Sequence, residues 1–142
     1  MSKVVDLDKM GLSVRANRIY DILDKEQPLV AILLATHLID LYLERLLRHN
    51  FNKSDTTNDL MQPSGILGSL SAKYKIAYCF NLITEIAHDD IKYVAKIRNR
   101  FAHTEDPQLN FTNDRISDYC RNLKSPEIFV KQMGGKFKED LQ

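Results

Sequence analysis

The sequence predicts an all-α protein, a single-domain bundle of five or six helices, and three observations carry that prediction. Apolar residues recur at three- and four-residue intervals along most of the chain, the period of a helix with one buried face. No segment sustains the apolar–polar alternation of a half-buried strand. Pro, Gly and Ser fall between the periodic segments, where helices need caps and turns. At 142 residues the chain has the length of one domain, enough to bury a core without metal or disulfide staples.

The first helix is expected over Leu12 to Lys25, with Ile19, Ile22 and Leu23 at helical spacing. Gln27-Pro28 breaks it. Pro28 suits the first position of the next helix, because its missing N–H would have had no intrahelical partner there. Leu29 to Arg48 follows as the central core helix, with apolar residues at 30, 33, 34, 38, 41 and 42 and Leu46 and Leu47 behind them. The stretch from Pro28 to Leu47 is about as long as a membrane span, but His37, Asp40, Glu44 and Arg45 interrupt it. Asp or Arg at the bilayer centre costs ~2.5 kcal/mol or more, so a buried core helix is expected.

Asn52, Ser54, Asp55, Asn58 and Pro63 give residues 50–64 the composition of a flexible loop, the longest interruption in the chain. Gly65 to Ser71 forms a tight turn in which Ser69 or Ser71 can cap a third helix running to about Leu82. A further helix is expected from His88 to His103. Asp89 and Asp90 sit near its start, as anionic residues should, and Ile91, Val94, Ala95, Phe101 and Ala102 form its buried side. Beyond Asp106-Pro107, Thr112 or Asn113 can cap a short helix carrying Ile116, Tyr119, Cys120 and Leu123. Ser125-Pro126 opens a last helix, which Gly134-Gly135 ends, and residues 134–142 form a charged tail.

The formal net charge of +1 argues against a surface that is a nucleic-acid sponge throughout, while leaving room for a local basic face. Cys79 and Cys120 are far apart and each lies in an apolar helical setting, which predicts buried, reduced thiols and a reducing cytoplasm. Met1 to Lys9 is mixed and charged, without the apolar run and cleavage site of a secretory leader.

Several kinds of chemistry lack their instruments. Gly65 to Gly68 does not have the spacing of a phosphate loop followed by Lys and Ser or Thr, so nucleotide hydrolysis is not expected. His37, His49 and His88 have no partners at zinc-like spacing, so neither metal nor cofactor is expected. His37 reads as a core-face histidine and the other two as surface or cap residues. No basic helix-turn-helix stands out, so direct sequence-specific reading of DNA is not expected.

The strongest candidate for chemistry is Lys96 to His103. Asn99 and His103 are four apart and share a helix face, and Arg98 lies one column over with a side chain long enough to reach the same spot. Arg offers a planar fork of donors to phosphate, and His can carry or release a proton near neutral pH. The same residue types also end helices for a plainer reason, because cations there complement the dipole and cap the last carbonyls. Lys92, Lys96 and Arg100 are nearby cations able to hold a phosphate backbone. Lys73 and Lys75 alternate with Tyr74 and Tyr78. That arrangement reads either as phosphate contacts with base stacking or as a core face with lysines snorkelling outward.

Two resemblances add to these readings. The run Gly65-Ile66-Leu67-Gly68-Ser69-Leu70-Ser71-Ala72-Lys73-Tyr74-Lys75-Ile76-Ala77-Tyr78 resembles the signature turn and helix of the mannitol operon repressor (MtlR) family, and the similarity continues through Asp114 to Leu123. It implies an all-helical cytoplasmic regulator that represses transcription without an obvious DNA-binding motif, through a protein partner. Arg98-Asn99-Arg100-Phe101-Ala102-His103 is similar to the Arg, polar residue, three others, His pattern of HEPN domains, helical bundles that are frequently metal-independent ribonucleases. That resemblance implies RNA as the partner and a site shared across a homodimer groove. His103 would assist 2′-hydroxyl attack or protonate the leaving group, Arg98 would stabilise the phosphorane and Asn99 would orient the pair.

Overall fold

The computed structural model describes residues 25–125 together with Arg18, Ile22 and Leu23. Within that span the protein is a helical bundle, with five helices and no strand among the described residues. The helix expected over Leu12 to Lys25 falls largely outside the described residues. The last helix beyond Ser125 and the 134–142 tail lie outside them too.

Helix α1, Pro28–Asn50, is the axis of the bundle and spans about 35 Å. Pro28 starts it as expected, and the backbone of Gln27 is already extended. Ile32, Thr36, Leu43 and Leu47 lie on one stripe and are buried. Thr36 is tolerated there because its hydroxyl donates to the Ile32 carbonyl at 2.5 Å. Arg48 and His49 in the last turn complement the helix dipole.

The stretch expected to be loop over 50–64 contains a short helix, α2, Asp55–Met61. Ser54 caps it, accepting the Thr57 N–H at 3.2 Å, and Thr57 Oγ1 donates to the Asn52 carbonyl at 2.6 Å. Arg48 braces it from α1, donating to Asn58 Oδ1 at 2.7 Å. Met61 and Leu67 then insert into the core beside Leu43 and Leu47. The turn that follows requires glycine. A Cβ at Gly65 would run into the backbone oxygens of Asp59 and Leu60, and one at Gly68 into those of Gln62 and Pro63.

Helix α3, Leu70–Cys79, begins at Ser69, which accepts the Ala72 N–H at 3.1 Å. It ends three residues before the expected limit. Asn81 turns into the left-handed region at φ 56°, Leu82 N–H reaches the Ala77 carbonyl at 2.8 Å, and Asn81 N–H reaches that of Tyr78 at 2.9 Å. These bonds form a Schellman motif with Asn in the place of the usual Gly. Cys79 is exposed at this helix end and Cys120 is half-buried, correcting the expectation of two buried thiols. Burial pushes the Cys120 thiol up from its ordinary range.

Helix α4, Glu85–Ala102, starts three residues earlier than expected, because Thr84 caps it by accepting the Ala87 N–H at 3.2 Å. Helix α5, Asp114–Arg121, packs across α4. Asn113 occupies its N-cap position, but the Asn113 side chain turns back to accept the Asn110 N–H at 3.0 Å. Helix α1 lies along α3 and α4, and its buried stripe contributes to two cores. One gathers Leu43, Leu47, Met61, Leu67, Tyr74 and Ala77, and the other gathers Ile32, Ile97, Phe101 and Ile116. Ala102, expected to be buried, is exposed, and Ile97 takes the place on the buried face instead.

Candidate functional site

Residues of α1, the capped start of α3 and α4 line a cleft of about 500 Å³. Helix α1 contributes Leu33, Thr36, His37 and Asp40. The cap contributes Gly68 to Ser71, and α4 contributes Ala95, Arg98 and Asn99. Arg98 Nη1 donates to Asn99 Oδ1 at 3.0 Å, so the two neighbours form one unit on the cleft wall. Both are exposed, and Arg98 forms no ion pair among the described residues.

His103 lies elsewhere. It is the C-cap of α4, exposed, with its N–H donated to the Asn99 carbonyl at 3.1 Å, and it is not a wall of the cleft. The imidazole that does share the cleft with Arg98 and Asn99 is His37, which is exposed and is not the core-face residue expected. The physical reason is angular. The buried stripe of α1 passes through Thr36, and the next residue is turned about 100° away from it.

The candidate phosphate-binding lysines separate into different environments. Lys73 is 2% exposed and its Nζ lies 2.9 Å from Asp40 Oδ1 and 3.5 Å from the Gly68 carbonyl, so it offers no surface for nucleic acid. Lys75 is exposed on α3. Lys92, Lys96 and Arg100 are exposed at four-residue spacing on α4 and make a basic line. Lys96 Nζ sits 5.1 Å from the centre of the Tyr93 ring and 5.7 Å from that of Tyr119, within cation–π range of both.

Two features of α4 were missed in the sequence. Asp90 is buried, and its carboxylate accepts the N–H groups of Lys124 and Ser125, each at 2.8 Å, tying the segment after α5 to α4. Burial pushes its pKa up, but these backbone bonds outweigh that and hold it below the ordinary carboxylate range. His88, expected to be a surface or cap residue, is half-buried. It packs 4.6 Å from the Tyr78 ring and 5.3 Å from the Tyr74 ring. Its Nδ1 lies 3.0 Å from Asp89 Oδ1, the first cause of the lowered Asp89 pKa. Neither arrangement carries a motif, since each depends on a partner brought close by folding.

No group of His, Cys, Asp and Glu able to hold a metal occurs among the described residues, and no helix there is long and apolar enough to cross a membrane. Fold and surface together define an all-helical bundle with a cleft of mixed polar and apolar lining and a basic helix face. Residues 15–138 match the model of the mannitol repressor (MtlR) family, and the chain belongs to that family. Among solved structures it is similar to a chain in the X-ray structure of the MtlR–HPr complex from Escherichia coli. The TM-score is 0.67 at 22% sequence identity, covering 75% of this chain and 68% of that one, which is a likeness of fold. No curated protein matches the chain.

Proposed function

We propose that this protein is a negative regulator of gene expression that acts by binding a protein partner. The family match over residues 15–138 carries the reading. A solved chain of the same fold belongs to a complex with HPr, and HPr is therefore the partner to test first. The line of Lys92, Lys96 and Arg100 beside Tyr93 and Tyr119 supports a contact face for an acidic partner surface. Complementary charge steers encounter, and aromatic rings supply buried area. In this reading the protein works in the cytoplasm as a homodimer.

Pulldown from the native host tests the reading. Recovery of HPr or a transcription factor in stoichiometric amount is expected. Tight, sequence-specific operator binding by the purified protein alone would overturn the indirect mechanism.

A second reading is a metal-independent ribonuclease using Arg98, Asn99 and His103, with Lys92, Lys96, Arg100 and Lys75 along the RNA. The exposed Arg98–Asn99 pair favours it. Because His103 lies outside the cleft of its own chain, the reading needs a second subunit to complete the site. Wild type, Arg98→Ala and His103→Ala are incubated with RNA in EDTA. Cleavage leaving 2′,3′-cyclic phosphate that is lost in both variants supports the nuclease, since general acid–base help is worth ~10²–10⁴-fold. Cleavage equal in all three marks a contaminant and rejects it.

A further inference from the structure

We propose that the cleft between α1, the α3 cap and α4 binds a small phosphate monoester, with Arg98 as the principal ligand and His37, Asn99 and Ser69 around it. This goes beyond the partner reading, because a ligand can occupy the cleft whether or not a protein docks on the surface.

Several hydrogen-bonding groups of the cleft are still available to a ligand. Asn99 already uses Oδ1 to accept from Arg98, which leaves its amide NH₂ to donate. The remaining N–H groups of the Arg98 guanidinium are donors. Ser69 Oγ accepts the Ala72 N–H and keeps its own proton to donate. The natural acceptor in the cleft, Asp40, is engaged by Lys73 at 2.9 Å, so it neither neutralises Arg98 nor leaves an uncompensated negative charge. With the Asp40 charge balanced by Lys73, Arg98 is the unpaired charge of the cleft among the described residues, and with Asn99 and Ser69 donating beside it the cleft has net positive character. A phosphoryl group, with several acceptor oxygens and negative charge, is its chemical complement. The first turn of α3 forms one wall and adds the positive end of its dipole.

Size and lining select the ester over a bare ion or a polymer. The volume of about 500 Å³ is that of a small-molecule site. Leu33, Leu70 and Ala95 offer apolar wall to the carbon portion of an ester. The cations that could track an extended backbone, Lys92, Lys96 and Arg100, do not line the cleft.

Calorimetric titration tests the proposal, using glycerol 3-phosphate, inorganic phosphate, dimethyl phosphate and a single-stranded RNA oligonucleotide as probes. The proteins are wild type, Arg98→Ala, His37→Ala and, as an exposed control outside the cleft, Lys53→Ala. Wild type should bind glycerol 3-phosphate saturably and more tightly than the other three probes. Affinity should fall about tenfold or more in Arg98→Ala, about threefold in His37→Ala, and stay within about twofold in Lys53→Ala. Absence of saturable binding by about 10 mM, or equal affinity in all four proteins, would overturn the site. Tighter binding of the RNA than of the monoester, lost in the Arg98 and His37 variants, would overturn the small-ligand assignment.

Discussion

Lys73 Nζ lies 2.9 Å from Asp40 Oδ1, the lysine side chain 3% exposed and the carboxylate 29%, so a nearly dry ammonium on α3 is held by a partly wet carboxylate on α1. The unequal burial sets the cost of losing each partner. Removing the carboxylate strands a buried cation, whereas removing the ammonium leaves a carboxylate that water reaches. Asp40→Ala should therefore destabilise by about 3 kcal/mol and Lys73→Met by clearly less, as read by urea unfolding. Equal losses would contradict the assignment of Lys73 as the buried member.

The Asp90 contacts predict a pH dependence with a definite sign. Its folded pKa is below the ordinary value of 3.8, so the stability it contributes is fully present above that value and is lost as pH falls through the lower folded pKa. Asp89, lowered first by its bond to His88, acts in the same direction. Thermal melts of wild type and Asp90→Ala should differ near neutral pH, by about 1–3 kcal/mol for two orphaned amides. The difference should shrink below about pH 4. A gap that is constant down to strong acid would show that the carboxylate charge does not hold the segment after α5.

Gly65→Ala and Gly68→Ala should each destabilise by about 1–3 kcal/mol, because the added Cβ meets backbone oxygens that cannot rotate away. Ser69→Ala, which removes only the cap of α3, should cost about 1 kcal/mol. Denaturant midpoints at constant slope check all three.

Ile97 is 2% exposed and joins α1, α4 and α5 through Ile32, Phe101 and Ile116. Ile97→Ala should cost about 2–5 kcal/mol, while Ala102→Ser on the exposed end of the same helix should be nearly neutral. A loss at Ala102 matching that at Ile97 would reverse the face assigned to α4.

The large features of the fold were legible because they are local. Pro28 marks a helix start by its own chemistry, and the stripes of α1, α4 and α5 repeat within a few residues. Helix α2 was not legible. Its sequence Asp55–Met61 is mostly polar, and what holds it is the Ser54 cap, the reach of Arg48 from α1 and the insertion of Met61 into a core built by distant residues. The same separation governs the site. Arg98 and Asn99 were recognisable from adjacency, whereas their imidazole neighbour His37 comes from a helix about sixty residues earlier. Lys73 read as a surface cation because its partner Asp40 is 33 positions away. Cys79 read as buried because the helix was expected to continue past Asn81.

Regulation by this protein runs through binding another protein. It is tested most directly by titrating the purified chain with HPr from the same organism, in parallel with its operator DNA. Saturable HPr binding is expected, weakening severalfold in a Lys92→Glu/Lys96→Glu/Arg100→Glu variant of unchanged fold, with no sequence-specific DNA binding by the chain alone. No saturable HPr binding, together with tight operator binding by the isolated protein, would contradict it.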